Sequence, residues 1–255
     1  MNPSTHPIVS REQWTIQRLA LLAREKELTR QRDDVARERR AMPWVRSEKD
    51  YVFDTAAGPR RLAELFGGHS QLVLQHFMFA PGWEQGCKSC SFMADHVDAA
   101  RVHLAHRDLG FVAVSRAPLA DIERFRRRMG WQFDWVSSHG SDFNRDFGVS
   151  FTQEELASGK VPYNYTLQSF GVEEAPGISV FFKDEDGSVF HTYSTYGRGV
   201  ELMMGSYDFL DIAPRGRDED QGRGMAWVRH HDRYEPAPAA PKADGCCEPS
   251  ADRLR

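Results

Sequence analysis

Long apolar runs, abundant cysteine and an excess of basic charge are all missing from this 255-residue chain. No stretch of about 18 consecutive apolar residues occurs, so no membrane-spanning helix and no membrane partner are expected. The N-terminal "MNPSTHPIVSREQW" lacks the basic-then-apolar pattern of a secretory leader. Lys and Arg number 33 against 37 Asp and Glu, for a formal net charge of -4. No bulk positive field therefore favours nucleic acid. Four cysteines are too few for a disulfide framework in a chain of this length. These absences lead to the expectation of a cytoplasmic protein. In a reducing compartment, a close cysteine pair is more often catalytic or metal-binding than structural.

Hydrophobic residues at 40% and aromatic residues at 11% suffice for a substantial core. Composition divides the chain into three. Residues 1–45 read as a helical extension. "SREQ" offers Ser10 as N-cap with Gln13 three positions on, a capping-box arrangement. Trp14, Leu21, Leu28, Val35 and Met42 then recur every seven positions among Arg and Glu, up to Pro43. This stripe is expected to lie against the main domain. The alternative is a homodimer contact, against which stands the lack of a second apolar position in each heptad. Residues 235–255 are Pro/Ala-rich, lack apolar periodicity and are expected to be a disordered tail holding Cys246 and Cys247.

Residues 46–234 alternate strand and helix signals. "QLVLQHFMF" reads as a buried strand, Cys87 to about His106 as a helix, "GFVAVSRAP" as a strand and "LADIERFRRRMG" as a helix. "FDWVSS" reads as a third strand. "GISVFFKDEDGSVFHTYSTY" is a hairpin around Asp186-Gly187, and "GVELMMGSYDFLDIAP" a final helix. Strands alternating with helices imply an α/β fold, a central sheet covered on both faces.

Within this pattern sits "GCKSC". Cys87 follows a strand and a short loop and opens a helix. Helix N-terminal N–H groups and the dipole favour thiolate over thiol, and Lys88 adds a positive charge. Cys90, one turn on, can attack a mixed disulfide formed on Cys87. Cys87 is then the attacking thiol and Cys90 the resolving one. A protein or small-molecule disulfide is the expected partner, and no cofactor is required. Zinc or copper handling is the alternative, with ligands from His76, His96, His103, His106 or the distant His191. A non-catalytic interaction protein with two inert thiols is the third reading.

Other clusters have bland readings beside sharper ones. Arg116 follows the second strand, where strand C-termini line sites in open α/β sheets, and so could approach Cys87. Asp142, Asn144 and Asp146 imitate part of a calcium loop, but Phe147 and Gln153 occupy the positions that need Gly and Glu. A turn with inward Phe143 and Phe147 is expected instead. His230, His231 and Asp232 could hold a metal or relay protons; the plainer reading is a docking segment with internal hydrogen bonds. Arg124, Arg126, Arg127 and Arg128 read as a solvated helix face.

The stretches "QLVLQHFMFAPGWEQGCKSCSFMAD", "RMGWQFDWVSSHGSDFNRDFGVSFT", "PGISVFFKDEDGSVFHTYSTYGRG" and "MAWVRHHDRYE" carry a family resemblance. The chain resembles the bacterial thioredoxin-like family called domain of unknown function eight-nine-nine, described as dithiol–disulfide oxidoreductases. The likeness runs from about Ile8 to Glu235. It implies a thioredoxin-like central mixed sheet and a redox role for Cys87 and Cys90. In thioredoxin-like folds a cis-proline faces the cysteine pair, and Pro176, just before the hairpin, stands in that place. Lys88 replaces the Pro usual between the family's cysteines. Peroxiredoxins place Thr or Ser three residues before their reactive cysteine. Here that residue is Glu84, which speaks against a peroxide-reducing site of that design.

Overall fold

The structure, a computed structural model, describes residues 6–219 and 224–235. Helix α1 (Arg11–Ala41) starts as its sequence dictates: the Gln13 N–H donates to Ser10 Oγ, and the Ser10 N–H donates to the Gln13 side chain. Its apolar stripe does not pack into the main domain as expected. No residue of α1 is buried, and Trp14, Leu21, Leu28, Val35 and Met42 stay 42–51% exposed. Leu28 and Val35 face Leu202 and Tyr207 across an open cleft of about 700 Å³. One apolar residue per two turns gives too narrow a face to seat a helix on a core.

The short strands β1 (Val45–Arg46), β2 (Val52–Phe53) and β3 (Arg60–Arg61) lead into β4 (Gln71–His76), helix α2 (Lys88–Ala105), β5 (Leu109–Ser115), helix α3 (Leu119–Met129) and β6 (Asp134–Ser137). Short helices α4 (Phe143–Asp146) and α5 (Gln153–Ala157) follow, then the hairpin β7 (Val161–Tyr163) and β8 (Thr166–Gln168). The hairpin β9 (Gly177–Lys183) and β10 (Val189–Tyr196) comes next, turning at Gly187 with φ 84°. Six strands form one sheet in the order β1-β10-β9-β4-β5-β6. β4, β5 and β6 run parallel, joined by the helical crossovers α2 and α3, while β9 and β10 are antiparallel neighbours. This mixed sheet flanked by helices is thioredoxin-like.

Period-two alternation decides what each face buries. From β4, Leu72 and Leu74 join Phe143 and Phe181 on one face; Val73 meets Phe92, Met93 and Ile178 beneath α2 on the other. The expected final helix is broken into a 3-10 segment (Gly197–Met203) and α6 (Gly205–Ile212). His96 on α2 explains the restart. Its Nδ1 is bonded to the Phe92 carbonyl at 2.6 Å, and its Nε2 accepts the Ser206 N–H at 3.0 Å, so α6 begins on an imidazole cap.

Candidate active site

β4 ends at His76, and residues 77–86 carry the chain to α2. Backbone bonds pin this loop to its neighbours: Phe77 N–H to Val114 O at 2.9 Å, Cys87 N–H to Met78 O at 3.0 Å, and Ala117 N–H to Phe79 O at 2.8 Å. Beneath it Phe77, Phe79, Phe125, Trp131 and Trp135 form an aromatic cluster, with half-buried Trp83 packed against it. A Cβ on Gly86 would meet the Phe77 ring at 2.6 Å and the Phe125 ring at 3.0 Å. Only glycine lets the backbone lie on these rings and deliver the next residue to the helix start.

That residue is Cys87, the N-cap of α2, with no side-chain oxygen capping the helix. The neighbouring Cys90 side chain is the largest influence holding the Cys87 pKa down at about 6. Backbone N–H groups of Cys90 and Ser89 and the Ser89 side chain act the same way, against the opposing cost of burial. Cys90 is 1% exposed. Its bond to Cys87, its burial and the charge on Cys87 raise its pKa well above the ordinary thiol value. Both cysteines are free thiols. The geometry thus sorts the pair into a partly accessible, acidified Cys87 and a buried, protonated Cys90.

The other expected site residues are placed differently. The Arg116 guanidinium is engaged by two glutamates. Its Nε donates to Glu174 Oε1 at 2.5 Å, and its Nη2 to Glu173 at 3.3 Å. Glu174 is 1% exposed and also accepts the Ser150 hydroxyl at 2.8 Å. Burial raises its pKa, with Arg116 opposing. The charge of Glu174 adds to the rise at Cys90. Pro176 immediately precedes β9, whose first residue Gly177 pairs with His76 at the end of β4. Its peptide bond is trans, as are all described peptide bonds, which corrects the cis expectation. Trans is the lower-energy isomer of an X–Pro bond, and the Tyr163 hydroxyl holds the Pro176 carbonyl at 2.6 Å. Lys88 donates to the Ala226 carbonyl at 3.2 Å, and Glu84 is exposed.

Glu174 and Tyr163 were not singled out from sequence. Burial raises the Tyr163 pKa, with Cys90 contributing to the rise. Glu174 lies 84 positions from Cys90, and nothing in "EEAPG" distinguishes it from an exposed glutamate.

The His-His-Asp cluster resolves into the plainer reading. His230 is bonded through Nε2 to the Gly86 carbonyl at 2.9 Å, His231 meets Asp95 at 2.7 Å, and Asp232 accepts two bonds of 2.8 Å from Arg128. Arg128 also reaches Gln85 at 3.1 Å, so this arginine ties down a strap and does not simply face water. Asp142 and Asp146 both bind Lys49, and Phe143 is buried. The metal alternative finds no gathered ligands: among the described residues no group of three or more His, Cys, Asp or Glu converges. His191 instead bonds Ser194 at 2.7 Å. No helix among the described residues is long and apolar enough to cross a membrane.

The sequence matches a bacterial protein family of unknown function (DUF899) over residues 3–234. The chain belongs to this family. No curated protein matches the DUF899 chain. Among solved structures it is similar to Xanthomonas campestris peroxiredoxin Q, at 12% identity and TM-score 0.41 over 61% of this chain and 87% of that one. It is also similar to peroxidoxin BcpB from Mycobacterium tuberculosis, at 18% identity and TM-score 0.39 over 63% and 88%. A mutant peroxiredoxin 6 of Arenicola marina aligns at 12% identity and TM-score 0.40 over 64% and 71%.

Proposed function

We propose that this chain catalyses thiol–disulfide exchange, with Cys87 as attacking thiol and Cys90 as resolving thiol. The observation that carries the reading is the asymmetric pair at the start of α2: an acidified, partly accessible sulfur beside a buried, protonated one. The Cys87 thiolate attacks one sulfur of a substrate disulfide; that S–S bond breaks, and the first substrate half leaves as thiolate and takes a proton. Cys90 then loses its proton and attacks Cys87 Sγ, expelling the second half. The substrate gains two electrons, and the protein retains a Cys87–Cys90 disulfide. Run backwards, the same steps oxidise a dithiol. Buried Glu174, balanced by Arg116, bears on the proton leaving Cys90, which makes both positioning residues for the second step.

Reduction of insulin or a small aromatic disulfide tests the reading. Wild type is expected to turn over with a reducing thiol supplied, and Cys87→Ser to fall to the uncatalysed background. No turnover by wild type, together with a Cys87 thiol titrating near 8.5 as a free cysteine does, overturns it. Mixed-disulfide capture with Cys90→Ser then identifies the protein or small-molecule partner.

A further inference from the structure

We propose that the cleft beside the β7–β8 hairpin is a binding site for a small, flat, uncharged molecule that carries a hydrogen-bond donor, of the phenol class. The site stands apart from the cysteine chemistry and does not rest on it. The cleft holds about 620 Å³, within the range of small-molecule sites, and no cysteine lines it. Three pieces of chain wall it: residues 45–51 after α1, residues 146–148 at the end of α4, and residues 162–167 of the hairpin. His191 and Tyr196 of β10 complete it. Tyr51 and Phe147 pack with Leu72, Leu74 and Phe143, so the cleft lies on the sheet face opposite α2.

Rings form the walls: Tyr51, Phe147, Tyr165, Tyr196 and His191. Phe147 meets the His191 ring edge-on at 5.3 Å, and Tyr165 meets Tyr196 at 5.6 Å. Tyr165 is held there against local preference. It is the second central residue of a two-residue hairpin turn, at φ 62° after Asn164 at φ 51°. Such a turn needs positive φ at both positions and favours Gly at the second. The tyrosine in that place is 78% exposed, yet its hydroxyl donates to the Ser194 carbonyl at 3.2 Å. Its ring is thus kept at the cleft by a conformation that a bulky side chain rarely adopts.

The hydrogen-bonding capacity left on these rings is accepting. Tyr51 donates its hydroxyl hydrogen to Asp146 at 2.8 Å, Tyr165 to the Ser194 carbonyl, and Tyr196 to the Phe147 carbonyl at 3.0 Å. His191 Nε2 lies 3.1 Å from the Tyr193 carbonyl, which an N–H satisfies and a lone pair does not. Nε2 therefore carries the hydrogen, and Nδ1 keeps a lone pair with no partner among the described residues. Burial lowers the His191 pKa against the raising effect of the Tyr193 bond, so the ring is neutral and Nδ1 stays an acceptor. A chain of bonds from His191 to Ser194, Ser179 and buried His76, each 2.7 or 2.8 Å, fixes the ring. The charges at the cleft cancel: Arg46 and Lys49 stand against Glu48 and Asp146, with Lys49 and Asp146 paired at 2.7 Å. The donors that remain, on Arg46, Lys49 and Asn164, belong to exposed residues. A neutral ring bearing a hydroxyl finds aromatic surfaces for its faces and an acceptor for its hydrogen, whereas an ion finds no net countercharge to offset its desolvation.

The test uses the full reduced chain with 2-naphthol and its methyl ether, read by titration calorimetry. 2-Naphthol is expected to bind saturably below about 1 mM, and the ether, which keeps the rings and loses the donor, about tenfold more weakly. Tyr165→Gly removes an exposed ring, relieves the turn and should weaken 2-naphthol binding about tenfold. His191→Phe keeps a ring but removes the acceptor, and should bring the two affinities within about twofold of each other. The ether comparison and Tyr165→Gly decide the matter even where His191→Phe fails to fold. Cys87→Ser should bind 2-naphthol as wild type does. Absence of saturable binding, equal affinities for alcohol and ether in wild type, or unaltered binding by Tyr165→Gly overturns the site. Loss of binding in Cys87→Ser overturns its separation from the dithiol, while failure of disulfide turnover strikes the exchange reading alone.

Discussion

Two helices of this molecule begin in opposite ways. Helix α1 has its first N–H groups answered by Ser10 and Gln13, carries ion pairs such as Arg30–Glu27 along its length, and buries none of its 31 residues. Helix α2 is shorter, at 18 residues, and buries six of them, yet has no side-chain oxygen at its start. A sulfur stands where an oxygen cap would be. The N–H groups that α1 spends on its own stability are left in α2 for the Cys87 thiolate. Tertiary burial permits this: a helix packed on a sheet does not need its cap, whereas a helix with no buried residue does.

The largest expected effect comes from unbalancing the buried charge behind the start of α2. Arg116→Met leaves Glu174 buried without its cation and should cost about 3–5 kcal/mol in denaturant unfolding. Combining it with Glu174→Leu should recover most of that loss. The sign of the pH dependence follows from the raised carboxyl: Arg116→Met loses further stability as pH rises above the ordinary glutamate value, because the fold then holds the proton more tightly than the unfolded chain does. A variant whose stability is flat between pH 4 and 7 would remove Glu174 from the account.

Next in size is the titration of the thiol. The reactive form of Cys87 is the thiolate, and its pKa is held at about 6. Iodoacetamide alkylation should therefore be half-maximal near pH 6, level off by about pH 7.5, and fall about tenfold per unit well below pH 6. A rate still climbing at pH 8.5 would mean that neither the Cys90 side chain nor the N–H groups of α2 hold this sulfur as thiolate.

The cap of α1 should count for less. Ser10→Ala is expected to lower helicity near that terminus at a cost of about 1 kcal/mol, read by hydrogen exchange over α1, with no shift in the Cys87 titration. Smallest of all is the stability change of Cys87→Ser. It places an N-cap oxygen on α2, so the unfolding midpoint should stay level or rise, by about 1 kcal/mol at most, while turnover is lost. A clear loss of stability would show that the sulfur holds the fold and does not merely occupy the helix start.

Local features read well before any tertiary contact was known. The Ser10–Gln13 box, the Asp186-Gly187 turn and the cysteine pair between a strand and a helix each depend on a few adjacent residues, and each stands as read. The apolar stripe of α1 misled, because spacing shows that a face exists but not whether it is wide enough to be covered. Arg116 stood out from its place after a strand, but that place does not say that its guanidinium pairs with buried Glu174.

The amino-acid order by itself determined that a dithiol would stand at a helix start, because strand, loop and helix signals flank "GCKSC" within about 35 residues. Tertiary structure alone decided how the two sulfurs differ. Burial of Cys90 and the carboxylate of Glu174 from 84 positions away arrive through folding. Desolvation and charge act through space, and sequence separation carries no record of which distant groups a sheet will bring together.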